Sequence, residues 1–281
     1  MLIDIHTHLV NPDFNPENCK KNFAINMFLK NVNFTNFDNY VKNLVEQIQQ
    51  SKLDKAVLIP VENSELCADN EQVLKICAQH PEFLYAVNLN PYSDTIESDV
   101  KRAKENNAVL VKILPSFQNI DMSDKKCIPF FEILAENNLP LLVHTGKEYT
   151  LKTKNQKFNR PSLLENAART GVKIICAHCG TRIFLHEKNY FNEWANLALK
   201  YENVYGDLSA MITPVQIWDL KKILKHTDLK NKVLFGTDYP GFPCEFSLKS
   251  SGNTFVDTYT FLENLGYNDK IFTNLEKVLN L

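Results

Sequence analysis

Arginine is scarce in this chain, with four in 281 residues, and formal charge nearly balances at −2. That excludes a basic footprint for DNA or RNA and a basic face for an anionic membrane. No apolar run approaches the ~20 residues of a membrane span. The opening MLIDIHTHLV lacks a basic stretch followed by a long apolar one, so no secretory leader is expected. The seven cysteines are scattered and odd in number, which gives no disulfide framework. These absences point to a cytoplasmic protein with reduced thiols and a small-molecule substrate. Low-complexity tracts and linkers rich in Pro, Gly or Ser are also missing. The length fits one (β/α)8 domain over residues 1–281, with a core large enough to need no covalent staple.

What is present is a repeat of pattern. Short apolar or β-branched runs recur, each closing on polar or turn residues: 2–8, 55–61, 83–89, 109–115, 140–146, 173–180, 203–209 and 232–240. After the first, their ends lie roughly 30 residues apart, the spacing of βα units in a barrel. Helical patterns fill the gaps over 38–50, 69–79, 96–106, 128–136, 162–169, 192–199 and 214–224, and a closing helix is expected over 269–281. Strands alternating with such helices predict an α/β (β/α)8 (TIM) barrel. An insertion follows the first strand, and the Asn- and Phe-rich segment Asn11–Asn36 within it is either a lid or a surface excursion.

In such a barrel the site lies at the C-terminal ends of the strands. Of seven histidines, four (His6, His8, His144 and His178) fall at expected strand ends, joined there by Lys112 and Asp238. A lone histidine at a strand end is usually a satisfied polar residue. Six such groups at one rim would cost several kcal/mol each if unpartnered, and a cation is the economical partner. Imidazole with carboxylate suits Zn²⁺, Mn²⁺, Fe²⁺ or Ni²⁺. Metal-bound hydroxide is then the expected nucleophile, with Asp238 as proton shuttle. Cys176 and Cys179 flank His178, but with no second cysteine pair near by they read as barrel filling.

The ordered set HTH (6–8), VKILP (111–115), VHTG (143–146), AHCG (177–180) and GTDYP (236–240) resembles the amidohydrolase superfamily, within it amidohydrolase-related family 2, a group of hydrolases and decarboxylases. NVYGDLSAM (203–211) and the closing IFTNLEKVLNL support the resemblance, which covers essentially the whole chain. It implies one divalent metal, most simply Zn²⁺, on His6, His8, His144 and Asp238. It places His178 beside the metal as polariser of water or substrate, and as a ligand together with Lys112 where a second metal is present. Related barrels are often dimers, so a homodimer stays open. Leu114 stands where the family often has histidine, which puts in doubt any chemistry that relied on that histidine.

Arg182, Lys147 and Tyr149 are the substrate-binding candidates, with arginine suited to a carboxylate. Arg160 is a weaker candidate, and Phe117, Trp194 and Tyr239 are either pocket wall or core. Two reactions fit this set: hydrolysis of a small, carboxylated amide, lactone or ester, and non-oxidative decarboxylation of a small unsaturated or aromatic acid. A TatD-like deoxyribonuclease is disfavoured by Lys112 at strand four and by the negative charge. A barrel that binds without turnover is disfavoured by the intact set His6, His8, His144, His178 and Asp238.

Overall fold

The structure, a computed structural model, describes residues 1–15, 36–211, 214–241, 251–267 and 270–279. Eight parallel strands pair in sequence order. They are β1 (Ile3–His8), β2 (Lys55–Ile59), β3 (Phe83–Asn88), β4 (Leu110–Ile113), β5 (Leu141–Val143), β6 (Ile174–Cys176), β7 (Val204–Asp207) and β8 (Val233–Leu234). The β8 segment returns to β1: Ile5 N–H donates to Phe235 O, and Asp238 N–H donates to His6 O at 2.7 Å. The expected TIM barrel is therefore observed. Its α-helices of six or more residues, among the described residues, are α1 (Phe37–Gln50), α2 (Asn70–Gln79), α3 (Ile96–Glu105), α4 (Ile128–Glu136), α5 (Glu165–Thr170), α6 (Phe191–Lys200), α7 (Pro214–Lys225), α8 (Thr254–Asn264) and α9 (Lys270–Leu279). Of the segment Asn11–Asn36, expected as a lid or a surface excursion, residues 16–35 lie outside the described residues.

Two apolar layers hold the barrel. One joins Ile5, Val57, Ile59, Ala86, Leu110, Leu142, Ile175 and Leu234 with Leu275 and Val278 of α9. The other joins strand residues such as Leu58, Val87, Val111 and Val143 to Leu44, Val73, Val100 and Phe130 of the helices. Strands covered on both faces read as continuous apolar runs, which is why the sequence shows runs rather than alternation. Alternate strand residues share a face, so Lys112 continues the row of Leu110 and His144 that of Leu142. Polar groups thus stand above an apolar layer.

Three expectations need correction. The strand runs are longer than the strands: β6 stops at Cys176 and β8 at Leu234. His178 and Asp238 therefore lie in turns beyond the strands, both with left-handed backbone (φ 58° and 64°). Asp207 takes the His178 N–H, and the β1 carbonyl of His6 takes the Asp238 N–H, so tertiary partners replace the strand ladder. The third correction is α8, which no expected helix covers. It begins at Asn253, whose side-chain oxygen accepts the Phe255 and Val256 N–H groups. Such a cap is worth about 1 kcal/mol.

Candidate active site

His6 is the hub of the rim. Its Nδ1 lies 2.9 Å from Asp207 Oδ2, and its Nε2 lies 3.1 Å from Lys112 Nζ, 3.3 Å from His8 Nε2 and 3.2 Å from Asp238 Oδ1. His8 Nδ1 sits 3.1 Å from Ile59 O, and His8 Nε2 sits 3.6 Å from Asp238 Oδ1. His178 Nδ1 lies 2.9 Å from Ser209 O. Carbonyl and carboxylate oxygens accept, so these three rings carry their proton on Nδ1 and turn the Nε2 lone pair inward. That is the arrangement in which a histidine binds a metal while its other nitrogen is oriented by an oxygen. The His178 ring stacks on His6 and meets His144 edge-on, each at 5.2 Å between centroids.

The donor set fits a divalent cation. His6, His178 and Asp238 place one ligand atom each within 4.8 Å of one another. His6, His8 and Asp238 are closer still by the distances above. His144 Nε2 is buried with no hydrogen-bond partner, an orphaned ring nitrogen at the same rim. Buried polar atoms of this kind are uncommon and ask for a ligand.

Electrostatics agree. Burial, and then the Lys112 cation, lowers His6 to about 4 against the opposing pull of Asp207 and Asp238. Burial likewise holds His8 and His144 well below the ordinary imidazole value, with His6 adding to the effect on His8 and His178 adding to it on His144. All three are neutral and ligand-competent at pH 7. Burial would raise Asp207, but the His6 ring, His178 and the Ser209 hydroxyl hold its carboxylate below the usual range. Burial also brings Lys112 down to about 8, although Asp207, Asp238 and Glu148 pull the other way.

The groups open on a cavity of about 60 Å³ lined by His8, His144, Lys147, Glu148, Tyr149, His178 and Asp238, with Val61, Leu114, Leu151, Ile183 and Ala210 as apolar wall. A larger cleft of about 1050 Å³ adjoins it and shares Tyr149, Thr150 and Leu151. Lys147 and Tyr149, two of the substrate-binding candidates, line the smaller cavity. Lys147 Nζ lies 3.3 Å from Glu187 Oε1, and the Tyr149 hydroxyl is buried without a partner. Arg182 lies between Thr181 and Ile183, which line the cavity, and its buried Nε has no hydrogen-bond partner. Its Nη1 donates to the carbonyls of Leu185 and Glu187, so its own loop takes up those donors, and the cavity wall does not include it. Arg160 pairs with Glu193 at 2.8 Å. Trp194 is core, with Nε1 donating to Tyr205 O, and Tyr239 stacks between Tyr40 and Phe255. Cys176 and Cys179 are buried free thiols.

Asp207, Ser209 and Glu148 are site residues that the sequence reading leaves without a role. Asp207 and Ser209 share a face of the β7 run and orient His6 and His178 from behind. Their shared parity in NVYGDLS is the available signal. Glu148 sits in an irregular loop and carries no comparable signal.

The sequence matches the Amidohydro_2 family, described as amidohydrolase, over residues 3–258. No curated protein sequence matches. Among solved structures, a TIM-barrel protein from Bordetella bronchiseptica shares 14% identity at a TM-score of 0.72, covering 99% of this chain and 98% of its own. A Pseudomonas putida protein, provisionally described as a 2-pyrone-4,6-dicarboxylic acid hydrolase, shares 14% identity at a TM-score of 0.68, covering 99% of this chain and 97% of its own. The 2,6-dihydroxybenzoate decarboxylase from Rhizobium shares 12% identity at a TM-score of 0.59, covering 99% and 98%. At these identities the structural likeness speaks to the fold, while the sequence match spans nearly the whole chain: this protein belongs to the amidohydrolase family and is an enzyme of that type.

Proposed function

We propose that the chain is a divalent-metal-dependent hydrolase of a small carboxylated lactone, ester or amide, with His6, His8, His144 and Asp238 as the metal's ligands. The observation that carries this is Asp238: its Oδ1 reaches both His6 Nε2 and His8 Nε2, while its side chain stays 16% exposed to the cavity. A bound divalent ion would polarise a carbonyl and bring the pKa of a water to about 7. Asp238 is placed to accept the proton of the attacking water and return it to the leaving group. His178, with Nδ1 tied to Ser209 O, presents its Nε2 lone pair to the cation or to a proton of the attacking water. Lys147 is 45% exposed on the rim and can exchange Glu187 for a substrate carboxylate. The cavity, about 60 Å³, is small beside the adjoining cleft of about 1050 Å³. Only the reacting group enters the cavity, and the rest of the substrate lies along the adjoining cleft.

A second reading, decarboxylation, is favoured by the apolar wall of Val61, Leu114, Leu151, Ile183 and Ala210, which would desolvate a carboxylate. One experiment separates the two. Metal per chain is counted for wild type, Asp238→Ala and His178→Ala. Zn²⁺-loaded enzyme is then offered 2-pyrone-4,6-dicarboxylate and 2,6-dihydroxybenzoate, with products read by mass. Water addition that disappears in Asp238→Ala supports hydrolysis. Loss of CO₂ supports the second reading. Wild type that takes up no metal after reconstitution overturns both.

A further inference from the structure

Glu148 is a buried carboxylate that the proposed chemistry leaves unused, and the chain holds it in place at five points. Its backbone N–H donates to Gln156 Oε1 and its carbonyl accepts from Gln156 Nε2. Its Oε1 accepts from Thr150 N–H at 2.6 Å, from the Thr150 hydroxyl at 2.6 Å and from Leu151 N–H at 3.0 Å. The carboxylate therefore cannot swing away, and its second oxygen, Oε2, is left 3.6 Å from the orphaned His144 Nε2. Both side chains are about nine-tenths buried and both line the cavity.

The spacing carries information. Two ligand atoms each about 2.1 Å from a tetrahedral ion lie about 3.4 Å apart. The contacts His6–His8 (3.3 Å), His6–Asp238 (3.2 Å) and His8–Asp238 (3.6 Å) have that length, and His144–Glu148 repeats it.

We propose that Glu148 is a direct member of the metal cage, supplying Oε2 beside His144 Nε2. This rests on the metal-dependent reading above and adds to it a ligand outside the strand-end set.

Glu148→Gln discriminates between a ligand and a turn brace. The amide oxygen can keep the Oε1 bonds to Thr150 and Leu151, while the amide nitrogen replaces Oε2 and cannot ligate. Zn²⁺ affinity is measured by competition with a chromophoric chelator for wild type and Glu148→Gln, beside the thermal midpoint of each metal-free protein. The expected result is Zn²⁺ binding weakened by more than the roughly hundredfold upper end for an orienting partner, with little change in the metal-free midpoint. Unchanged affinity overturns the inference and leaves the metal-dependent reading standing, whereas wild type that binds no Zn²⁺ overturns both. If the variant does not fold, wild type answers the question: the infrared difference between Zn²⁺-loaded and metal-free protein must show two shifted carboxylates. One alone overturns the proposal.

Discussion

Asp207→Asn tests how the site is wired. Asp207 Oδ1 receives the His178 N–H at 2.8 Å, the Ser209 N–H at 3.1 Å and the Ser209 hydroxyl, while Oδ2 faces His6 Nδ1 at 2.9 Å. An asparagine must keep its oxygen on the three-donor side. Its NH₂ then faces His6 Nδ1, and two donors cannot face one another, so the His6 proton moves to Nε2. That nitrogen is the one turned toward Asp238 and His8, and once protonated it cannot ligate. Losing the orienting partner of a ligand histidine costs about tenfold to a hundredfold in metal affinity, or about 1.4 to 2.8 kcal/mol. The substitution also strips Lys112 of a counter-charge, which acts in the same direction. Zn²⁺ competition titration, run where both metal-free proteins are folded, measures the effect. Affinity within a factor of about two of wild type would refute the reasoning, because His6 Nε2 would then not be a ligand.

The remaining predictions address charge, acid and packing. Lys112→Met removes an ammonium 3.1 Å from His6 Nε2 and should tighten Zn²⁺ binding in the same titration. Weaker binding would sink the charge argument and point to Lys112 as a carbamylated ligand. His6 is held at about 4 against an ordinary 6.5, so the folded state favours its neutral ring. The unfolded chain takes the proton first, so this stability is complete above pH 6.5 and is lost as pH falls from 6.5 to 4, by up to about 3 kcal/mol. A metal-free melting midpoint that stays flat across that window would contradict it. A Cβ at Gly206 would lie 2.6 Å from Cys179 Sγ and 2.7 Å from the Trp194 ring, so Gly206→Ala should cost about 1 to 3 kcal/mol in denaturant unfolding. Unchanged stability would show that the α6–β7 contact can give way.

What could be read from the sequence follows from how each residue is held. His6, His8, Lys112 and His144 were legible because each sits on a strand or one residue beyond it, where an apolar run points to its position. His178 and Asp238 were legible as residues but not as geometry. Their turns are set by Asp207 and by the His6 carbonyl, partners 29 and 232 residues away that no local pattern announces. Helix α8 was missed although its start carries a recognisable capping residue, Asn253. That cap also reaches across to Gln47 O, so part of what stabilises it is tertiary. Arg182 shows what a loop position leaves open. Position after a strand end places a side chain near the rim, yet within the loop the carbonyls of Leu185 and Glu187 decide which way it turns. Glu148 lies beyond β5 in a segment with neither period, fixed by Gln156, Thr150 and Leu151. Strand-borne side chains inherit their direction from the barrel, whereas loop-borne ones take it from hydrogen bonds that exist only once the loop is folded. The unassigned chemistry of this enzyme therefore lies in the β5 and β6 loops, and substitutions at Glu148 and Lys147 should change metal affinity and substrate choice while leaving the barrel intact.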